Sequence, residues 1–419
     1  MNARMNAALM EAVRLTRAGQ LEEATKVIQR TLRPVQETWS TPATSEADVI
    51  EGEFHVIDGA PCRKGAPEPG PQPRPRPGAK AKIFDKTPWP GVDLAALNES
   101  WRGFQGPLTT PQPARAPDPL PEGARFITET YRGAAGTRSY KLYVPSGYGA
   151  GPLPLVVMLH GCTQDPDDFA AGTRMNELAE QEPCLVLYPA QAQSANGSKC
   201  WNWFKTTDQQ RDQGEPSIIA GMTRQVADTF SVDRRRIYIA GLSAGGAMAV
   251  TMGINYPDLY AAVGIHSGLP HAVAKDLPSA LAAMRQGGTA PAGRQAKEFA
   301  GSQPLPVIVF HGDRDTTVHP CNGDQVITQC AACSSDPRPP ADADVSVQRG
   351  QIPRGHAYTR TIYRPGSGRS VAEHWLVHGA GHAWSGGSSS GSYTDPKGPK
   401  ASQEMLRFFL EHPRIEASA

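Results

Sequence analysis

The chain predicts an α/β fold, a mostly parallel eight-stranded sheet flanked by helices. Three observations carry that expectation. Short apolar runs recur eight times after Gly123: Phe126–Tyr131, Tyr140–Val144, Leu155–Leu159, Leu185–Tyr188, Ile237–Ala240, Ala262–Ile265, Val307–Phe310 and Trp375–Val377. The first two alternate in polarity and are joined by Gly133 to Gly136, the pattern of an antiparallel hairpin. The later runs are nearly all apolar, as strands covered by helices on both faces must be. Helical stretches separate most of them, at Asp168–Gln181, Pro216–Phe230, Ala244–Asn255 and Pro399–Leu410.

The prolines divide the rest of the chain. Fifteen of the 39 fall between Pro61 and Pro121, and each fixes φ and removes a backbone donor. Residues 59–123 therefore read as a Pro-rich, extended linker in which Trp89, Trp101 and Phe104 are possible docking aromatics. Before it, Met5–Arg17 and Leu21–Leu32 carry helical apolar spacing around a Gly19-Gln20 stop, so residues 1–58 are expected to hold a helical hairpin extension. The catalytic domain is then expected over 124–413. With 42 Lys+Arg against 41 Asp+Glu, the charge lacks the footprint of a nucleic-acid binder. No apolar run reaches the ~18 residues of a transmembrane segment. Met1 to Gln20 lacks the apolar core of a Sec signal peptide, so a cytoplasmic location is expected, with extracellular as the alternative.

Gly241-Leu242-Ser243-Ala244-Gly245 matches G-x-S-x-G, but so does Gly387-Ser388-Ser389-Ser390-Gly391. Context separates them. Ser243 follows a strand-like run and opens a helix, the turn that presents a nucleophilic hydroxyl, whereas Ser389 lies in a Gly/Ser loop. A serine nucleophile needs a base, and the base needs an orienting carboxylate, in the chain order Ser, acid, His. His311-Gly312-Asp313-Arg314-Asp315 offers Asp313 or Asp315; His378-Gly379-Ala380-Gly381-His382 offers His378 or His382. The oxyanion hole needs backbone N–H donors. One is expected from Ala244 and the other from the His160-Gly161-Cys162-Thr163 loop.

With those residues assembled, the chain resembles the poly(3-hydroxybutyrate) depolymerase-like esterases, relatives of feruloyl and acetylxylan esterases with the α/β-hydrolase fold. The resemblance runs from about Gly123 to Pro413, through Tyr140-Lys141-Leu142-Tyr143-Val144-Pro145, the His160-Gly161-Cys162 loop and Asn176-Glu177-Leu178-Ala179. It continues through Cys200-Trp201-Asn202-Trp203-Phe204, the Ser243 elbow, the Asp315 loop and Gly379-Ala380-Gly381-His382-Ala383-Trp384. It implies Asp315 as the acid, His382 as the base and Cys162 N–H as the second oxyanion donor. It also implies a hydroxyalkanoate oligomer or polymer, or another acyl ester, as substrate. A polyester granule is a further partner that the N-terminal hairpin is suited to reach.

His160, Trp201, Trp203 and Trp384 are expected to line the substrate pocket, since aromatic anchors are enriched at ligand sites. A Cys162–Cys200 disulfide suits an exported form and not a reducing cytosol. His319, Cys321, Cys330 and Cys333 are zinc-ligand types, but their spacing departs from common fingers, and no metal or organic cofactor is expected. His55, His271, His356 and His412 carry no motif and are expected at the surface.

Overall fold

The computed structural model describes residues 120–288, 305–331, 343–365 and 369–414. The helical hairpin, the docking aromatics and all but the last residues of the linker lie outside them, as do His55 and Cys333.

The described strands are β1 (Arg125–Gly133), β2 (Gly136–Val144), β3 (Leu153–Leu159), β4 (Leu185–Pro189), β5 (Val232–Leu242), β6 (Ala262–His266) and β7 (Val307–Gly312). They continue with β8 (Ala343–Gln351), β9 (Ala357–Pro365), β10 (Ala372–Val377) and the short pair β11 (Trp384–Ser385) and β12 (Thr394–Asp395). Helices are α1 (Pro166–Thr173), α2 (Met175–Gln181), α3 (Gly214–Thr229), α4 (Ala244–Asn255), α5 (Leu277–Gln286), α6 (Cys321–Ala331) and α7 (Ala401–Glu411).

One sheet has the order β1-β2-β4-β3-β5-β6-β7-β10-β9-β8. The six strands from β4 to β10 are parallel, and the two antiparallel pairs at either end complete it. All eight apolar runs are strands of this sheet. The sheet is nonetheless ten-stranded, because β8 and β9 extend its edge. That hairpin escapes an apolar-run criterion because its residues are polar or half-exposed, with Val345 and Val347 facing water. The expected Asp168–Gln181 helix is two helices. Arg174 takes a left-handed conformation (φ 55°, ψ 26°) between them, and Asp165 caps the first by accepting from Asp168 N at 3.1 Å.

The central strands bury side chains on both faces. Leu155, Val157, Leu159, Ile237, Ile239 and Val309 pack under α3, α4, α5 and α6. Val156, Met158, Tyr238, Ala240 and Phe310 pack under α1, α2 and α7. The chain reverses its direction of strand addition between β3 and β5, so a crevice opens beyond their carboxyl ends, where open α/β sheets bind ligands. Among the described residues no helix is long and apolar enough to cross a membrane.

Candidate active site

Ser243 stands between β5 and α4 at φ 56°, ψ −119°. A non-glycine residue is held in such a region only when its surroundings over-determine it. Here Ser243 N donates to His266 O at 2.9 Å, and Ala247 N donates to Ser243 O at 2.9 Å to open the helix. The flanking glycines follow from close approach. A Cβ on Gly241 would collide with the Gly245 carbonyl, and one on Gly245 would collide with the carbonyls of Leu159 and His160. The elbow therefore presses against the end of β3. In the second G-x-S-x-G, Ser389 is exposed, and Gly391 serves a different purpose: its bare Cα lets the loop lie on Gly172 of α1.

The candidate acid and base follow the next strands. Leu242 is level with His266, His266 with Phe310, and Gly312 with Val377, so β5, β6, β7 and β10 end together. After β7 the chain reaches Asp315; after β10 it reaches His382. A Cβ on Gly312 would collide with Ala380 O, so that glycine lets the two loops touch, and Arg314 N donates to Ala380 O at 3.0 Å.

The two sequence alternatives resolve into two separate pairs. Asp315 Oδ2 accepts from His382 Nδ1 at 2.7 Å, with side chains 0% and 12% exposed. Asp313 Oδ2 pairs with His378 Nδ1 at 3.0 Å, with side chains 34% and 38% exposed. His378 also has Nε2 bound to Thr359 Oγ1 at 2.8 Å, which commits both its nitrogens. His382 keeps Nε2 on the edge opposite Asp315. Burial alone would push the Asp315 carboxyl upward, but the neighbouring His382 and His311 hold it well below the usual carboxylate range. Its other oxygen accepts from Thr317 N at 2.9 Å and Val318 N at 2.8 Å, which fixes its orientation.

The Cys162 loop leaves one donor open. Gly161 N donates to Gln164 Oε1 at 2.9 Å and Thr163 N to Ser198 O at 2.7 Å. Cys162 N, between them, has no acceptor among the described residues. Ala244 N is the first amide of α4 and has no intrahelical acceptor. Cys162 and Cys200 form a disulfide.

The four expected pocket residues are interior ones. His160 is buried, with Nδ1 on Gly161 O at 2.8 Å and Nε2 accepting from Gln191 N at 3.1 Å. Burial pushes its imidazole down to about 4. Trp201 is buried and donates Nε1–H to His160 O at 3.1 Å; Trp203 is buried against Phe204. Trp384 stacks on His266 at 5.2 Å and donates to Ser402 Oγ at 3.0 Å. The surface expectation for His271 and His412 is corrected: both are buried, the first bound to Thr251 Oγ1 and the second to Phe408 O. His356 is half-buried and pairs with Asp395 at 2.8 Å. Cys321 is a free cysteine with its N–H on His319 Nδ1 at 3.2 Å.

Three residues carry positions that motif spacing does not reveal. His266 lies between Phe310 and Trp384, and its Nε2 accepts from Ser385 N at 2.9 Å. Its place just after an apolar run, at a strand's carboxyl end, is the signal that would have found it. Buried Glu215 accepts from Asn202 N at 2.7 Å, Asn202 Nδ2 at 2.6 Å and Gln191 Nε2, and burial, with Asp208 nearby, raises its carboxyl. Gln191 links this carboxylate to His160, so the Cys162 and Cys200 loops share one buried polar network.

A parallel-centred sheet, a strained serine elbow after β5, and a carboxylate and an imidazole after the later strands define an α/β-hydrolase. Residues 138–335 match the family described as Esterase PHB depolymerase. Poly(3-hydroxyalkanoate) depolymerase C of Paucimonas lemoignei is 34% identical over 246 residues, covering 57% of each chain. Acetylxylan esterase A of Talaromyces purpureogenus is 28% identical over 276 residues, covering 62% of this chain and 70% of that one. The chain thus spans a little over half of the depolymerase's length. The solved acetyl xylan esterase of Aspergillus awamori has the same fold, with a TM-score of 0.50 and 18% identity over 69% of this chain and 99% of that one.

Proposed function

We propose that the chain is a serine carboxylic-ester hydrolase, acting on poly- or oligo(3-hydroxyalkanoate) through Ser243, His382 and Asp315. The observation that carries this reading is the buried Asp315–His382 pair at the same sheet edge as the strained Ser243 elbow. In the reaction, His382 Nε2 takes the Ser243 proton as Oγ attacks the ester carbonyl. Asp315 holds Nδ1–H and stabilises the imidazolium. The N–H groups of Cys162 and Ala244 receive the oxyanion. His382 then protonates the leaving alcohol, and later activates the water that releases the acid and frees Ser243.

The depolymerase relative supports the hydroxyalkanoate substrate. A carbohydrate-ester reading is favoured by the acetylxylan esterases of similar identity. Relative kcat/KM on hydroxybutyrate oligomers and on acetylated or feruloylated sugars decides between them. A non-catalytic granule binder on this fold is the reading of another class. Hydrolysis of p-nitrophenyl butyrate that is abolished in Ser243→Ala excludes it, and unchanged turnover in that variant refutes the esterase assignment.

The Cys162–Cys200 link supports an oxidising, extracellular setting over the cytoplasm, because glutathione and thioredoxin keep cytosolic thiols reduced. Thiol titration of protein purified without reductant tests this. Attachment of residues 1–58 to a polyester granule is part of the same proposal, and a granule-sedimentation assay with and without those residues addresses it.

A further inference from the structure

His311 of β7 and His374 of β10 point to the sheet face that α6 covers. His374 is level with Val309, so the two imidazoles are diagonal neighbours on adjacent parallel strands. The His311 side chain is 0% exposed and that of His374 is 9% exposed. His311 Nε2 is 2.8 Å from Val318 O and 3.5 Å from Asp315 Oδ2. Both oxygens only accept, so the tautomer that suits them carries its proton on Nε2 and presents a lone pair at Nδ1. His374 Nδ1 is 3.3 Å from Asp324 Oδ1, which by the same logic leaves the lone pair on Nε2.

Neither His311 Nδ1 nor His374 Nε2 has a hydrogen-bond partner among the described residues. Both are aimed at one place. Each lies 3.1 Å from the position that a Cβ on Gly323 would occupy, in the first turn of α6. That point is itself one bond length from the Gly323 Cα, but it sets the two nitrogens within about 6 Å of each other beside a bare Cα; two buried acceptors so close call for one bridging occupant with two donors, and a water molecule has that chemistry. A divalent ion would need further ligands, and the described residues hold no group of three that could supply them.

We infer that a buried water donates to His311 Nδ1 and His374 Nε2 above Gly323, and that it locks the His311 ring so that Nε2–H steadies Asp315. His311 is thereby a positioning residue for the acid. This rests on the reading of Asp315 as the triad carboxylate. The bare Cα of Gly323 is what gives the water its place, so the helix over the sheet, the two strands and the acid loop are coupled through one polar contact.

Steady-state kinetics on p-nitrophenyl butyrate with the full chain test the inference, in His311→Leu, His311→Gln and Gly323→Ala, with Ser243→Ala and Asp315→Asn alongside. His311→Leu is expected to lower kcat by about 10- to 100-fold at unchanged KM, the scale of misplaced catalytic geometry. His311→Gln, whose amide can still donate toward Asp315, is expected to recover most of that loss. Gly323→Ala leaves both imidazoles but sets a methyl 3.1 Å from each of the two nitrogens, which leaves no room for a water between them. It is expected to lower kcat, again at unchanged KM, and to lower Tm, although alanine is otherwise the better helix residue. Wild-type kcat in His311→Leu or in Gly323→Ala overturns the inference, as does a Gln variant no better than Leu. If His311→Leu does not fold, Gly323→Ala decides alone. Turnover lost in Ser243→Ala and Asp315→Asn but kept in these variants removes only the inference; turnover kept in Ser243→Ala removes the esterase reading and the inference with it.

Discussion

Asp313 and Asp315 are two residues apart, and His378 and His382 four, so spacing alone cannot say which carboxylate serves which imidazole. Burial separates them: one pair is a solvent-facing clasp between loops, the other an enclosed dyad whose carboxylate accepts from two further amides. Asp315→Asn is accordingly expected to reduce kcat on the order of 10⁴-fold, as loss of the correct imidazole tautomer does in serine hydrolases. Asp313→Asn is expected to leave kcat within a few fold, and parallel kinetics on the two variants check the contrast. Ser243 was legible as the candidate nucleophile because strand, turn and helix follow one another in the sequence around it. The depth of Trp201 and Trp384 was not legible, because an indole's local sequence does not say that it is buried with its N–H on His160 O or Ser402 Oγ.

Among the elements, the loops after β3 and β4 matter as much as the strands. The disulfide joins the Cys162 loop to the Trp201 loop across a separation of 38 residues. Closing a loop of that size in the unfolded chain contributes about 4 kcal/mol in the chain-entropy model. Cys200→Ser is therefore expected to lower the denaturant midpoint, and to lower kcat because Cys162 N–H loses its tether. Urea titration and esterase kinetics on that variant are the checks, and unchanged kcat would detach the disulfide from the oxyanion role. Apolar runs identified the eight strands with helices packed on or beside them. They did not identify β8 and β9, since an edge hairpin that faces water needs no continuous apolar side; Arg360 of β9 instead pairs with Glu373 of β10 at 2.9 Å. The break between α1 and α2 was equally hidden, because Arg174 adopts a left-handed conformation without a glycine to announce it.

For the molecule as a whole, acid is the expected weakness. Burial lowers His160 to about 4, His266 to about 3 and His271 to about 4, against 6.5 for an exposed imidazole. Below pH 6.5 the unfolded chain takes up protons that these folded sites refuse, so stability falls as pH drops from 6.5 toward 4 and is recovered above it. Each such site contributes a slope of up to about 1.4 kcal/mol per pH unit in that window. Tm measured from pH 7.5 to pH 4.5 is expected to decline steadily below 6.5, and a flat profile would contradict the buried neutral state of these rings. The proline excess, 15 of 39 within 61 residues, precedes Arg125, where the sheet begins, and the proposed chemistry sits at the carboxyl ends of that sheet's strands. That chemistry is tested most directly by labelling the protein with a fluorophosphonate and mapping the modified peptide by mass spectrometry. The expected result is a single stoichiometric adduct on Ser243 that parallels the loss of esterase turnover. An adduct on another serine, or turnover that survives complete labelling of Ser243, would contradict the assignment.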